Sequence, residues 1–207
     1  MKVFDRIEKA IENFRQRKFV IIYSESEKEG DLCIPGEEIT AAAVLFMARV
    51  ASGLICLALP RKRLENLEIE PLRSRYRAED TPFYEPVDAV GVGSGISPKD
   101  RAATIRRVID PSTKPADLAR PGHVPLLGAE PLGLLKRDGH TEAVLELAKM
   151  SGLYPAAVLC ELISDSGDAM NAKELKALAK KFNIPIITVG ALSKFARSLI
   201  RKSGLDK

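Results

Sequence analysis

The chain has 207 residues, a length suited to one large domain. Such a domain buries about 70% of its unfolded surface and needs no disulfide or structural metal as a staple. It is 45% hydrophobic and 29% charged, which excludes a disordered chain and a membrane bundle. The balance of 32 Lys plus Arg against 28 Asp plus Glu gives +4, short of the excess that marks a nucleic-acid binder.

The chain opens on MKVFDRIEKAIENF, charged and helix-patterned, so no signal peptide is expected and the location reads as cytoplasmic. Val3, Phe4, Ile7, Ile11 and Phe14 recur at helical spacing and predict an amphipathic helix over 3–18. FVIIY (19–23) predicts a buried strand, and the acidic stretch SESEKEGD (24–31) a loop. Thr40 caps a predicted helix over 41–51, Gly53 stops it, and 54–59 predicts a core strand. Arg49, near the middle of that apolar run, would cost about 2.5–3.5 kcal/mol in a bilayer, so no membrane span is expected. Residues 60–86 read as irregular, with LEIEP (67–71) as their one strand-like piece, before a strand at 87–92.

Ser97, Pro98 and Asp100 begin a helix running to Ile109, and 110–122 predicts a Pro- and Asp-rich loop. Residues 137–142, RDGHTE, open a helix ending at Gly152, followed by a buried strand at 156–163 and a DSGD turn. Asn171 and Glu174 form a capping box for a helix to Phe182. A strand at 184–189 and a helix at 190–201 close the chain. Cys33, Cys56 and Cys160 sit among apolar neighbours with no CxxC pair and read as reduced core thiols. The fold class is α/β (α+β), one domain with a mixed, twisted β-sheet covered by helices.

Several places could carry chemistry. Glu25, Glu27, Glu29 and Asp31 alternate; extended, they would point to one side and suit Mg²⁺, and otherwise they form a solvated acidic loop. The two histidines, His123 and His140, both follow a glycine in what reads as a turn, a setting that leaves an imidazole unshielded. Arg137 and Thr141 flank His140 at a predicted helix start, as a phosphate site or a helix cap with a surface Arg. Glu161 sits in an otherwise apolar strand, either paired at a cleft or facing solvent at an edge. The run Gly91–Gly95 lacks the third glycine of GxGxxG and reads as a tight turn able to approach an anion. The basic clusters Arg61-Lys62-Arg63 and Arg73/Arg75/Arg77 have one interleaved aromatic, Tyr76, and read as solvated faces. Together these point to an enzyme of phosphorylated metabolites that uses a divalent metal.

In order along the chain, EKEGDL (27–32), FMARVASGLICLAL (46–59), SGISPKDRAATI (94–105), RPGHVPLL (120–127) and residues 137–162 resemble the 3,4-dihydroxy-2-butanone 4-phosphate synthases of riboflavin biosynthesis. The resemblance runs from about Phe19 to Leu199 and leaves nothing over for a cyclohydrolase domain, so the stand-alone form is expected. It implies a single synthase domain over 1–207 with that family's three-layer architecture. The implied reaction is a lyase conversion of D-ribulose 5-phosphate to formate and L-3,4-dihydroxy-2-butanone 4-phosphate, with Mg²⁺ or Mn²⁺. It also implies a homodimer with interfacial sites, and neither nucleic acid nor membrane as partner.

Carried over residue by residue, Glu27 and His140 match the metal ligands. Asp31, Arg137, Asp138, Gly139, Thr141 and Glu161 match the substrate cradle, and His123 and Glu161 the proton-transfer groups. Three positions depart from the family pattern: Ser26 for Arg, which bears on substrate affinity, Pro125 for Phe, and Asp138 for Gly. Two rival readings remain open here. One is a catalytically impaired relative with a binding role; the other is a nucleotide- or RNA-binding protein of the fold used by threonylcarbamoyl-adenylate synthases.

Overall fold

The computed structural model of the chain describes residues 4–37, 39–72 and 82–203. Its strands are β1 (Val20–Ser24), β2 (Glu29–Pro35), β3 (Cys56–Pro60), β4 (Phe83–Ala89), β5 (Leu118–Ala129), β6 (Ala157–Glu161) and β7 (Ile186–Thr188). Its helices are α1 (Ile7–Arg15), α2 (Ala41–Val50), α3 (Arg61–Asn66), α4 (Pro98–Ile109), α5 (His140–Met150), α6 (Ala172–Phe182) and α7 (Val189–Ser203). The strands form one mixed sheet in the order β4-β5-β3-β6-β2-β1-β7. β1 with β7 and β3 with β5 run parallel, and the other neighbours are antiparallel.

Strand alternation sorts the apolar residues into two layers. Val158 and Cys160 of β6 join Leu32, Leu57 and Leu126 on one face, where Val44 and Met47 of α2, Ile105 of α4 and Leu175 of α6 cover them. Ala157 and Leu159 join Ile22, Cys33 and Ala58 on the other, beneath Phe14 of α1, Val144 and Leu147 of α5 and Leu192 of α7. The result is helix, sheet, helix. Each such Leu, Ile or Phe removed from water contributes roughly 1.5–3 kcal/mol. Helix starts follow local chemistry: Thr40 and Ser97 accept backbone N–H bonds from Ala43 and Asp100, and Asn171 and Glu174 close a reciprocal box.

The structure corrects five expectations. The acidic stretch is not a loop through Asp31: residues 25–28 form a turn, with Lys28 at φ 60°, and β2 begins at Glu29 as the partner of β1. Glu25 and Glu27 therefore leave the alternating row, and only Glu29 and Asp31 share a strand face. Residues 60–86 contain α3 and the start of β4, while LEIEP makes one isolated bridge, Pro71 to Tyr84. Residues 118–122 are strand, so His123 lies inside β5 and not in a turn. The Gly91–Gly95 turn exists, but its Gly93 and Gly95 N–H groups donate to the chain's own Asp100 carboxylate, which takes the anion's place. Arg63 is buried and donates to the Val108 and Asp110 carbonyls, a packing role, and Arg73, Arg75 and Arg77 lie outside the described residues. All three cysteines are buried and unpaired, as expected.

Candidate active site

At the hairpin end of β1 and β2 the sheet gathers acid. Asp31 is opposite Glu161 in the β2–β6 ladder, so both carboxylates rise from the same face on neighbouring strands. Asp31 is 3% exposed. Burial pushes its carboxyl up to about 7; His140 opposes the shift, and Glu161, Glu29 and Glu27 add to it. Glu161 ends β6 half-buried, and its Oε2 accepts the Leu54 N–H at 2.7 Å. It is therefore at the end of an interior strand and not at a solvent edge.

α5 brings His140 over this acid cluster as its first residue. His140 Nδ1 lies 3.1 Å from Glu27 Oε2, and the bond holds the Glu27 carboxyl below its ordinary value. Burial works against the imidazolium, yet Asp31, Glu27 and Glu29 outweigh it and carry His140 up to about 9. Its other nitrogen, Nε2, is buried with no hydrogen-bond partner among the described residues. A buried imidazole nitrogen without a partner, beside two carboxylates, fits a divalent cation. Among the described residues no three metal-ligating side chains converge.

The start of α5 has no side-chain cap. Gly139 occupies the N-cap and offers no side-chain acceptor to the first-turn N–H groups. Thr141 is buried, Asp138 is exposed, and Arg137 reaches across to Glu142 at 3.4 Å. Arg137 also favours the ionised form of Glu27, which ties the helix start to the hairpin turn. Ser26 sits exposed in that turn, its Oγ 3.1 Å from Ser24 Oγ.

His123 stands apart from this cluster. Leu126 pairs with Leu57 and Leu159 with Cys56, so His123 and Glu161 lie toward the same end of the sheet with β3 between them. Its partner is Asp88 of β4, which the sequence reading missed: Oδ2 is 2.6 Å from His123 Nδ1, and Oδ1 accepts the His123 backbone N–H at 3.0 Å. The contact exists because β4 and β5 approach closely at Gly122, where a Cβ would collide with the Val87 and Asp88 backbone. Pro125, with no N–H to donate, falls where the β4–β5 register slips. Glu142 is the second residue missed. An acid amid the apolar neighbours Val87 and Ala89 was the available signal for Asp88, the same one that drew attention to Glu161.

A protein-family model described as 3,4-dihydroxy-2-butanone 4-phosphate synthase matches residues 8–195. The riboflavin biosynthesis protein RibBA of Aquifex aeolicus is 44% identical over 198 residues, covering 93% of this chain; the chain spans about half of that relative, 49%. A 3,4-dihydroxy-2-butanone 4-phosphate synthase of Shewanella sp. strain MR-4 is 37% identical over 97% of this chain and 94% of its own length. Among solved structures, a 3,4-dihydroxy-2-butanone 4-phosphate synthase in complex with two magnesium ions superposes with TM-score 0.89 at 30% identity, over 97% of this chain and 99% of that one. The Candida albicans synthase superposes at 0.86 with 36% identity, over 93% and 98%. With the model covering most of its length and such relatives matched nearly end to end, the chain belongs to the 3,4-dihydroxy-2-butanone 4-phosphate synthase family.

Proposed function

We propose that the protein is a lyase of riboflavin biosynthesis that converts D-ribulose 5-phosphate to formate and L-3,4-dihydroxy-2-butanone 4-phosphate. The observation that carries this reading is the Glu27–His140 pair beside the Asp31–Glu161 rung of the β2–β6 ladder, with His140 Nε2 lacking a protein partner among the described residues. Glu27 and His140 would hold Mg²⁺, or Mn²⁺ in its place. An ion held there would supply Lewis-acid polarisation of the substrate's carbonyl, making the adjacent carbon acid easier to deprotonate.

The chain's own groups do the rest. Arg137, Thr141 and the uncapped N–H groups after Gly139 bind the phosphate and fix the sugar's direction, with Asp138 at the rim. Asp31, whose carboxyl sits near 7, can hold or release a proton at neutral pH beside the reacting carbons. Glu161, anchored by the Leu54 N–H, offers its other oxygen for a second proton transfer. Asp88 accepts a hydrogen bond from the Nδ1–H of His123, which orients the ring and leaves Nε2 as the nitrogen free to take a proton.

His123 reaches a site through dimerisation in this reading. Leu54 is 49% exposed beside Glu161, and Val90 and Ile96 are 59% and 55% exposed next to the His123–Asp88 pair. Such apolar surface around polar groups suits a second copy of the chain, and a homodimer with interfacial sites follows. A cytoplasmic location accords with three reduced, buried thiols. Formate release from ribulose 5-phosphate with Mg²⁺ tests the function. His140→Ala should abolish it while the fold and melting profile persist; turnover by that variant would refute the ligand assignment.

A further inference from the structure

We propose that Glu142 is a positioning residue, whose buried carboxylate holds Arg137 and the Gly139 turn in the shape that receives the substrate's phosphate. The inference rests on the reading that Arg137 and the α5 start bind that phosphate. The Glu142 side chain is 0% exposed, and among the described residues only Asp31 is a comparably buried acid. Its Oε1 accepts the Glu130 N–H at 2.8 Å and lies 3.4 Å from Arg137 Nη1. Its Oε2 has no hydrogen-bond partner among the described residues and faces Gly139, where a Cβ would come within 2.6 Å of it.

An acid in the first turn complements the helix dipole, but an exposed one would do that equally well. Enclosing a carboxylate is costly unless a cation answers it, and here the cation is Arg137. A guanidinium carries five donors in a planar fork, so engagement with Glu142 is compatible with engagement of a phosphate. The far end of the device is anchored too: Glu130, whose N–H Glu142 receives, pairs with Arg61 at 3.6 Å and Lys136 at 3.5 Å. Glu142 thus ties the loop after β5, the guanidinium and the glycine turn into one rigid cradle.

The test is steady-state kinetics with ribulose 5-phosphate and Mg²⁺, and competitive inhibition by inorganic phosphate, on wild type, Glu142→Gln, Arg137→Ala and the double variant. Glu142→Gln keeps the shape and the acceptor for the Glu130 N–H but removes the charge. It should raise KM and the phosphate inhibition constant about tenfold, with kcat falling less than KM rises. In the Arg137→Ala background the same change should add nothing, because the group it acts through is gone. Glu146→Gln, at an exposed pair on the same helix, should match wild type. Full additivity, or an unchanged KM in Glu142→Gln where Arg137→Ala raises it, overturns the proposal. An unchanged KM in Arg137→Ala overturns the phosphate role of Arg137 and the proposal with it. Should Glu142→Gln fail to fold, Glu142→Asp, which withdraws the charge by one methylene, must show the same non-additivity with Arg137→Ala or the proposal fails.

Discussion

Replacing Gly122 by alanine should damage the protein far more than one methyl group suggests. A Cβ at 122 would overlap the Val87 carbonyl carbon and the Asp88 nitrogen, both backbone atoms that no rotamer change can move aside. Carbon–carbon contact needs about 3.5 Å, so β4 and β5 must part by roughly 1 Å or more at this point. Overpacking costs about 1–3 kcal/mol when side chains can give; a rigid ladder puts this site at the upper end. At about 2–4 °C per kcal/mol for a domain of this size, the melting temperature should fall by roughly 6–12 °C. Activity should suffer separately. The displaced atoms include the backbone of Asp88, which holds His123 at 2.6 Å, and a shift of about 1 Å in a proton-transfer group costs on the order of 100-fold in rate. Calorimetry and formate release at a temperature where the variant is still folded separate the two effects. A melting point within a degree of wild type, with unchanged turnover, would refute the close-approach argument.

Three further outcomes follow from the same structure. Mixing inactive His123→Ala protein with inactive His140→Ala protein should restore formate production if His123 serves the neighbouring subunit's site; no recovery after subunit exchange would confine each site to one chain. The metal-free protein should lose the Asp31 contribution to stability as pH rises from about 4 to 7 and the His140 contribution from 6.5 to 9, so its melting temperature should still be falling at pH 9. Burial lifts Asp31 to about 7 from 3.8, and His140, despite its burial, is lifted by Asp31 and Glu27 to about 9 from 6.5. Each contributes stability that is complete below its unfolded value and lost as pH climbs through the folded one. Mg²⁺ should flatten the decline by taking the proton's place, and a flat melting profile without metal would contradict the assignment. Burial pushes the Cys160 thiol up to about 12, so iodoacetamide at pH 8 should label it only after unfolding; rapid native labelling would oppose that.

Helices with caps and periodicity were legible in the chain: the Thr40, Ser97 and Asn171 starts fall where the residues dictate, because capping is decided within four residues. What stayed hidden depends on distant neighbours. β2 begins with an acid and ends with Pro35, and it is a strand because β1 and β6 flank it on both sides. α3 has six residues, too few to display a period. Residues 118–122 fall in the stretch 110–122 that reads as a loop, yet they pair with β4 alone, where a missing donor on the other side costs nothing. Within the site, the glycine before His140 marks a helix N-cap, while the glycine before His123 marks a close approach of two strands. The same dipeptide carries two physical meanings. Asp88 and Glu142 escaped notice because their partners are 35 and 5 residues away, across a ladder and around a helix start.

The most direct test of the account is isotopic. Ribulose 5-phosphate labelled with ¹³C at C4, incubated with the protein and Mg²⁺ and followed by NMR, should place the label in formate and leave the four-carbon phosphate product unlabelled. Label retained in a five-carbon sugar phosphate, or formate carrying no label, would contradict the proposed reaction.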